Sequence, residues 1–391
     1  MTNFDIEYLK LVREILSKGF EGENRTGINT INIPYWNFSF DLAKEFPILE
    51  SKSVVMRNAL TEMLWIYQAQ SNDVSWLTER GNHIWDEWKI DADGIYRVYE
   101  PSSEYIPDKK VPIVDTRKIT DDDPFGKRNG FEYLKTKSGE LKMTGSLIEG
   151  KTIRSAKYFG KKYAGTIGTA YGYIVRKYKL IDNLIYTLKN EPTDRRKFMS
   201  LWQNSELKTA VLPSCVWSST WDVTNNKLNA VVNQRSCDVP LGLPFNVSQY
   251  AALVMLLAHF TGLEPGNLVF SIQNPHIYVN QLDGINIQLS RQDVYNRYKS
   301  MPEQELRNLL RLLKEKKVDE QFDPHVDNET LSKILDIILN PTQPSLWIDS
   351  NAETFYDVDN TIETVDGKKE VKGIKVKNYK NMGTIKFPIA Q

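Results

Sequence analysis

The residues best equipped for chemistry cluster around a single thiol. Cys215 follows Pro213-Ser214 and precedes a strand-like run at 216–223, and twenty residues on comes Gln234-Arg235-Ser236-Cys237-Asp238. A thiol attacks as its thiolate, and a neighbouring guanidinium favours that form. Antiparallel pairing of 216–223 with a second strand-like run at 228–234 would place Arg235 beside Cys215. The pair could then add sulfur to an electron-poor carbon and hold an anion. A lone cysteine ahead of a strand is, however, more often a buried core thiol. Other side chains carry the same ambiguity. Glu62 could move protons or mark the solvated edge of an apolar helix. Trp85 and Trp88, at i and i+3, could simply fill core. Arg195-Arg196 could hold a phosphate or be two surface charges. Tyr171 beside Gly172 could be turn packing, and His276 a satisfied structural histidine. Asn246 could N-cap a helix.

The elements that must position these groups are legible in part. Leu9, Val12, Ile15 and Leu16 have helical spacing, with Gly19 as a stop. Residues 29–40 alternate like a strand pair broken at Pro34. Residues 58–70 form an apolar helix, 181–189 another, and 247–261 is apolar almost all round, as a helix buried in a larger body would be. Gly262 closes it. Two stretches interrupt this pattern. Residues 89–164, with three consecutive aspartates and many Lys, Gly and Pro, read as an inserted small domain. Residues 292–343 read as a helical insertion: Ser300-Met301-Pro302-Glu303 as a capping box, Leu306, Leu309, Leu310 and Leu313 as one face, and a second helix at 329–339 stopped by Asn340-Pro341. The expectation is an α+β core built from 1–88, 165–291 and 344–391.

Composition narrows the function classes. The 391 residues carry 50 Lys+Arg and 50 Asp+Glu, a formal charge of zero. A polymeric nucleic-acid partner normally demands a net basic surface, so none is expected. No run resembles a membrane span or signal peptide, so a cytoplasmic location is expected. With only two cysteines, neither a disulfide scaffold nor a metal site is expected.

The motifs Leu212-Pro213-Ser214-Cys215, Gln234-Arg235-Ser236-Cys237-Asp238, Leu241-Gly242-Leu243-Pro244-Phe245-Asn246 and His276-Ile277-Tyr278 together resemble the thymidylate synthase superfamily, which includes the pyrimidine nucleotide hydroxymethylases. Asn24-Arg25-Thr26-Gly27, Phe46-Pro47 with Lys52, Thr61-Glu62-Met63-Leu64-Trp65, Ile84-Trp85-Asp86-Glu87-Trp88, Ala170-Tyr171-Gly172, Asp194-Arg195-Arg196 and the closing Ile385-Lys386-Phe387-Pro388-Ile389-Ala390 fit in order. The resemblance implies that Cys215 adds to C6 of the uracil of dUMP, making C5 a carbon nucleophile towards the one-carbon unit of 5,10-methylenetetrahydrofolate, used as co-substrate without metal. It implies that Arg25, Arg235 and Ser236 hold the phosphate, with Arg195 and Arg196 donated by the partner of a homodimer. His276 and Tyr278 would hold the deoxyribose. Glu62 and Tyr171 would handle protons, Asn246 would read the base, and Trp85, Trp88, Leu212, Asp238 and Gly242 would line the folate site. The last residues would close as a lid.

Several positions depart from the pattern. Val216 stands where His is usual, Gln273-Asn274 replaces Gly-Asp, Gln281 replaces a His, Ser53 and Val55 replace basic residues, and Gln391 replaces an aliphatic end. Val216, Asn274 and Gln391 favour water over hydride in the last step, and so a viral deoxyuridylate hydroxymethylase making 5-hydroxymethyl-dUMP in a host cytoplasm. Thymidylate synthase is the alternative, followed by an inactive nucleotide-binding homologue. An enzyme acting on uracil in RNA is disfavoured by the zero net charge.

Overall fold

The computed structural model of the chain describes residues 1–24, 26–101, 113–115 and 151–389. They form two compact units: Met1–Leu60, Ile185–Phe198 and Ser218–Gln391 in the first, Thr61–Leu184 and Met199–Trp217 in the second. Helices and mixed sheets make up both, so the α+β expectation holds.

The main sheet has the order Tyr35–Asp41, Glu264–Gln273, Lys227–Gln234, Val216–Thr224, Phe198–Ser200. Strand alternation sends Phe38, Phe40, Ala230, Val232, Leu268, Phe270 and Ile272 to a buried face, while Tyr35 and Val231 stay exposed. Thr224 and Lys227 flank a tight turn whose central residues, Asn225 and Asn226, both have positive φ (51° and 59°). Two-residue hairpins demand that backbone, and Asn tolerates it better than most residues.

The helix Gly242–Thr261 packs on the sheet strands Glu264–Gln273 and Lys227–Gln234. Its length and apolarity would suit a membrane span, but most of it is core. Each fully buried Leu or Val there contributes about 1.5–3 kcal/mol relative to exposure. Its end matches expectation: Gly262 takes the left-handed conformation (φ 72°) and donates to the Ala258 carbonyl. Its start does not. The helix begins five residues before the apolar run, because the Asp238 carboxylate accepts from the Leu241 N–H at 3.0 Å and turns the chain there. Pro244 is tolerated because first-turn amides lack intrahelical acceptors. Asn246 therefore lies inside the helix and is not its N-cap.

Pro34 separates two strands that join different sheets. Thr30–Asn32 belongs to a small sheet ordered Phe20–Gly22, Thr30–Asn32, Pro275–Tyr278, Cys237–Asp238. Its parallel pair sets Asp238 directly beside His276.

Residues 292–343 are helical as expected. Leu282–Lys299, Glu303–Lys314 and Asn328–Leu339 share an apolar cluster with Leu306, Leu310, Leu313, Ile334, Leu335 and Met382. The capping box at Ser300 does not form. Ser300 keeps helical angles (φ −88°, ψ −5°), so its hydroxyl donates back to the Arg297 carbonyl, and Pro302 opens the next helix without a side-chain cap. Asp327 caps the third helix, accepting from the Thr330 N–H at 2.7 Å. Of residues 89–164, much lies outside the described residues. Ile95–Pro101, Lys151–Tyr158 and Ile113–Asp115 form a three-stranded sheet in the second unit.

Candidate active site

In the second unit five of the expected residues form a chain of contacts. Glu62, on the helix Met56–Tyr67, accepts from the Trp85 indole N–H at 2.6 Å. The Trp85 ring meets Tyr171 edge-on (5.2 Å between centroids) and Trp88 likewise (5.5 Å). The Tyr171 hydroxyl accepts the backbone N–H of Cys215 at 3.3 Å. Tyr171 has φ 48°, a left-handed conformation that costs a bulky residue about 1–3 kcal/mol. Gly172 makes this geometry possible, since a Cβ there would sit 2.0 Å from the Ser71 carbonyl oxygen. The Cys215 thiol is partly exposed. Val216 beside it is buried, and Trp88 and Leu212 are half-buried. Trp85 is thus more than core filler: it orients the Glu62 carboxylate and walls Tyr171.

In the first unit Asn246 is held at both ends of its amide. The Gln234 NH₂ donates to the Ser236 carbonyl and to Asn246 Oδ1, both at 3.1 Å. The Asn246 NH₂ donates to Gln249 Oε1 at 3.4 Å, and the Gln249 NH₂ donates to the Ala59 carbonyl at 3.2 Å. Backbone carbonyls only accept. Ser236 at one end and Ala59 at the other therefore force each glutamine to present its NH₂, and together they fix which way Asn246 points. Its free lone pair and free N–H can then meet one ring donor and one ring acceptor. Gln234 Oε1 is buried with no hydrogen-bond partner among the described residues.

Asp238 and His276 lie side by side in the small sheet. Asp238 accepts from Leu241 N–H and from Gln281 Nε2 (3.1 Å). Burial pushes its carboxyl pKa up, opposed by those hydrogen bonds, His276 and Lys52. Burial pushes the His276 imidazole down, opposed by Asn274 and Asp238. His276 Nδ1 lies 2.9 Å from both the backbone and side-chain oxygens of Asn274, so Nδ1 carries the proton and Nε2 is an acceptor. Asn274 itself has φ 48°; the departure from Gly-Asp still supplies an oxygen that orients the histidine. Tyr278 packs edge-on against His276 at 5.2 Å.

Arg235 and Ser236 are half-buried just past the strand Lys227–Gln234. Arg195 and Arg196 are exposed. Asp194 grips the Arg196 guanidinium through both carboxylate oxygens (2.9–3.2 Å) and is itself held down at about 2 by it. Gly242 opens the long helix within 4.0 Å of the Asp238 side chain as measured from its would-be Cβ. Arg25 and Gln391 lie outside the described residues.

The family described as thymidylate synthase matches residues 6–320. The chain belongs to the thymidylate synthase family. A thymidylate synthase of Clostridium beijerinckii is 37% identical over 297 residues, 76% of this chain and 86% of that protein. One of Bacillus mojavensis is 27% identical over 400 residues spanning both chains completely, so residues 89–164 and 292–343 fall within its aligned length. The solved structure of thermostable thymidylate synthase A from Bacillus subtilis covers all of both chains with a TM-score of 0.61 and 25% identity. As in any member of this one-carbon transferase family, the reacting groups need neighbours that hold them, and these were the residues that motif reading passed over. Gln234 lies within the motif at 234–238 without a role there, and Gln249 lies outside every motif. Gln281 was visible only as a departure.

Proposed function

We propose that the chain is a thymidylate synthase, converting dUMP and 5,10-methylenetetrahydrofolate to dTMP and dihydrofolate. Cys215 adds its sulfur to C6 of the ring, and the electron pair moves to C5, which attacks the one-carbon unit. Loss of the C5 proton, aided by Tyr171 and by water ordered on Glu62, expels the folate nitrogen and leaves an exocyclic methylene. Hydride from the reduced pterin then gives the methyl group, and the Cys215–C6 bond breaks. Arg25, Arg235 and Ser236 take the phosphate, joined by Arg195 and Arg196 of a partner copy. His276 accepts from the deoxyribose 3′-hydroxyl, with Tyr278 alongside. Trp85, Trp88, Leu212, Asp238 and Gly242 take the folate.

The observation that carries the substrate reading is the amide relay. With Oδ1 fixed towards Gln234 and Nδ2 towards Gln249, Asn246 can accept from N3–H and donate to O4 of uracil without reorganising. Cytosine presents the reverse pattern, and turning Asn246 to suit it would set NH₂ against NH₂ at Gln234.

Water addition, giving 5-hydroxymethyl-dUMP, has weaker support. Val216 is buried and apolar and gives water no polar atom, and Asn274 is engaged with His276. The relatives from Clostridium beijerinckii and Bacillus mojavensis are thymidylate synthases. Turnover should raise the absorbance of dihydrofolate, with a product mass equal to dTMP. A product one oxygen heavier and no dihydrofolate would reverse the assignment.

A further inference from the structure

The segment that closes the chain is latched onto the first unit at three points, and one side chain joins the latch to the folate side. Its base is fixed: Met382 N–H donates to the Glu50 carbonyl at 2.7 Å, and the Gly383 carbonyl accepts from Ser53 N–H and from Arg291, both at 2.9 Å. Gly383 has φ 100°, a conformation that turns the following residues and that glycine alone adopts readily. Beyond it the Phe387 ring lies in the notch left by Gly284, where a Cβ would come within 2.5 Å of the ring. The Lys52 ammonium stands 4.8 Å from the centroid of the same ring. The Pro388 carbonyl accepts from Gln281 Nε2 at 3.2 Å.

Gln281 is 1% exposed and every polar atom of its amide is committed. Oε1 accepts from Tyr278 N–H at 3.1 Å, which fixes the orientation. The NH₂ then spans two acceptors: Asp238 Oδ2 and the Pro388 carbonyl.

We propose that Gln281 is a positioning residue that ties docking of residues 384–389 to the carboxylate of Asp238. The inference rests on the folate role given to Asp238 above. With the segment docked, both N–H groups are satisfied and the carboxylate is held in one orientation. With it released, one N–H loses its acceptor, the amide is free to turn, and Asp238 must be reorganised on binding. Coupling between two sites is reciprocal, so a folate that donates to Asp238 also tightens the latch.

The test uses hydrogen exchange of the peptide 384–391 in the full-length protein, beside steady-state kinetics. Gln281→Glu keeps the shape and the bond to Tyr278 but sets a carboxylate against two acceptors. Exchange in that peptide should rise about tenfold or more, and the KM for methylenetetrahydrofolate by a similar factor, with dUMP affinity changed less than about twofold. Gln281→Met, which removes the donors without adding charge, should fall between. Gly284→Ala, which displaces Phe387 and leaves Asp238 untouched, should raise the same two quantities. Unchanged exchange in a folded, dUMP-binding Gln281→Glu protein would overturn the proposal. So would faster exchange with an unaltered folate KM, or equal weakening of both substrates. A wild-type protein that binds no folate would instead remove the functional reading, while the exchange comparison would still report whether Gln281 holds the segment.

Discussion

At the scale of single residues, reactivity depends on groups that are held rather than merely present. Cys215 is partly exposed, its backbone tied to a tyrosine in a strained conformation, and that tyrosine packs on the tryptophan that steers Glu62. Cys215→Ala should lower tritium release from 5-³H-dUMP by at least about 10³-fold, because its thiolate is the group proposed to add to C6. Retained release would place the nucleophile elsewhere. Asn246→Asp should reverse the base preference: a carboxylate suits the 4-amino donor of cytosine and repels uracil O4. Turnover of dUMP is expected to fall by about 10²-fold or more, with dCMP binding becoming measurable by competition.

At the scale of elements, the segment beyond Gly383 and the lysine beneath it respond to pH in opposite senses. Burial pushes the Lys52 ammonium down to about 8, with Asp238 pulling it back up. Below that pH the charge faces the Phe387 ring; above it the attraction fades, so exchange of residues 384–389, corrected for its intrinsic rate, should rise through about pH 8. Global stability should move the other way. The folded-state value lies below that of the unfolded chain, so between about 8 and 10.5 the unfolded state binds more protons and stability increases with pH. Lys52→Met should abolish the step in exchange. Elements set by apolar periodicity were legible in the sequence: Leu306, Leu309, Leu310 and Leu313 do form one buried face, and Gly262 does close the long helix. The start of that helix was not, because it is set by Asp238, a side chain outside the run. The Ser300 cap failed for a similar reason, since the preceding helix claims that residue first. Chemical groups inside contiguous motifs could be named from sequence. Their supports could not, because Gln234, Gln249 and Gln281 act through partners far away in the chain.

At the scale of the whole molecule, the main sheet of the first unit covers one face with the helix Gly242–Thr261 and leaves Tyr35 68% and Val231 39% exposed on the other. The proposed roles of Arg195 and Arg196 require a second copy of the chain, and we propose this open face as its docking surface. Val231→Lys should shift the sedimentation profile from dimer to monomer and lower activity with it. A wild type that sediments as a monomer at assay concentrations, yet turns over, would remove the shared arginines. The placement of Asn246 within the long buried helix has an evolutionary consequence. If Asn246 reads the base as proposed, that group cannot be moved without remodelling the helix Gly242–Thr261. A lineage under selection for a different nucleobase would have to change side chains in place, at 246, 234 and 249, while leaving the scaffold alone. Sequence divergence among relatives should therefore accumulate everywhere else sooner than in the path of that helix.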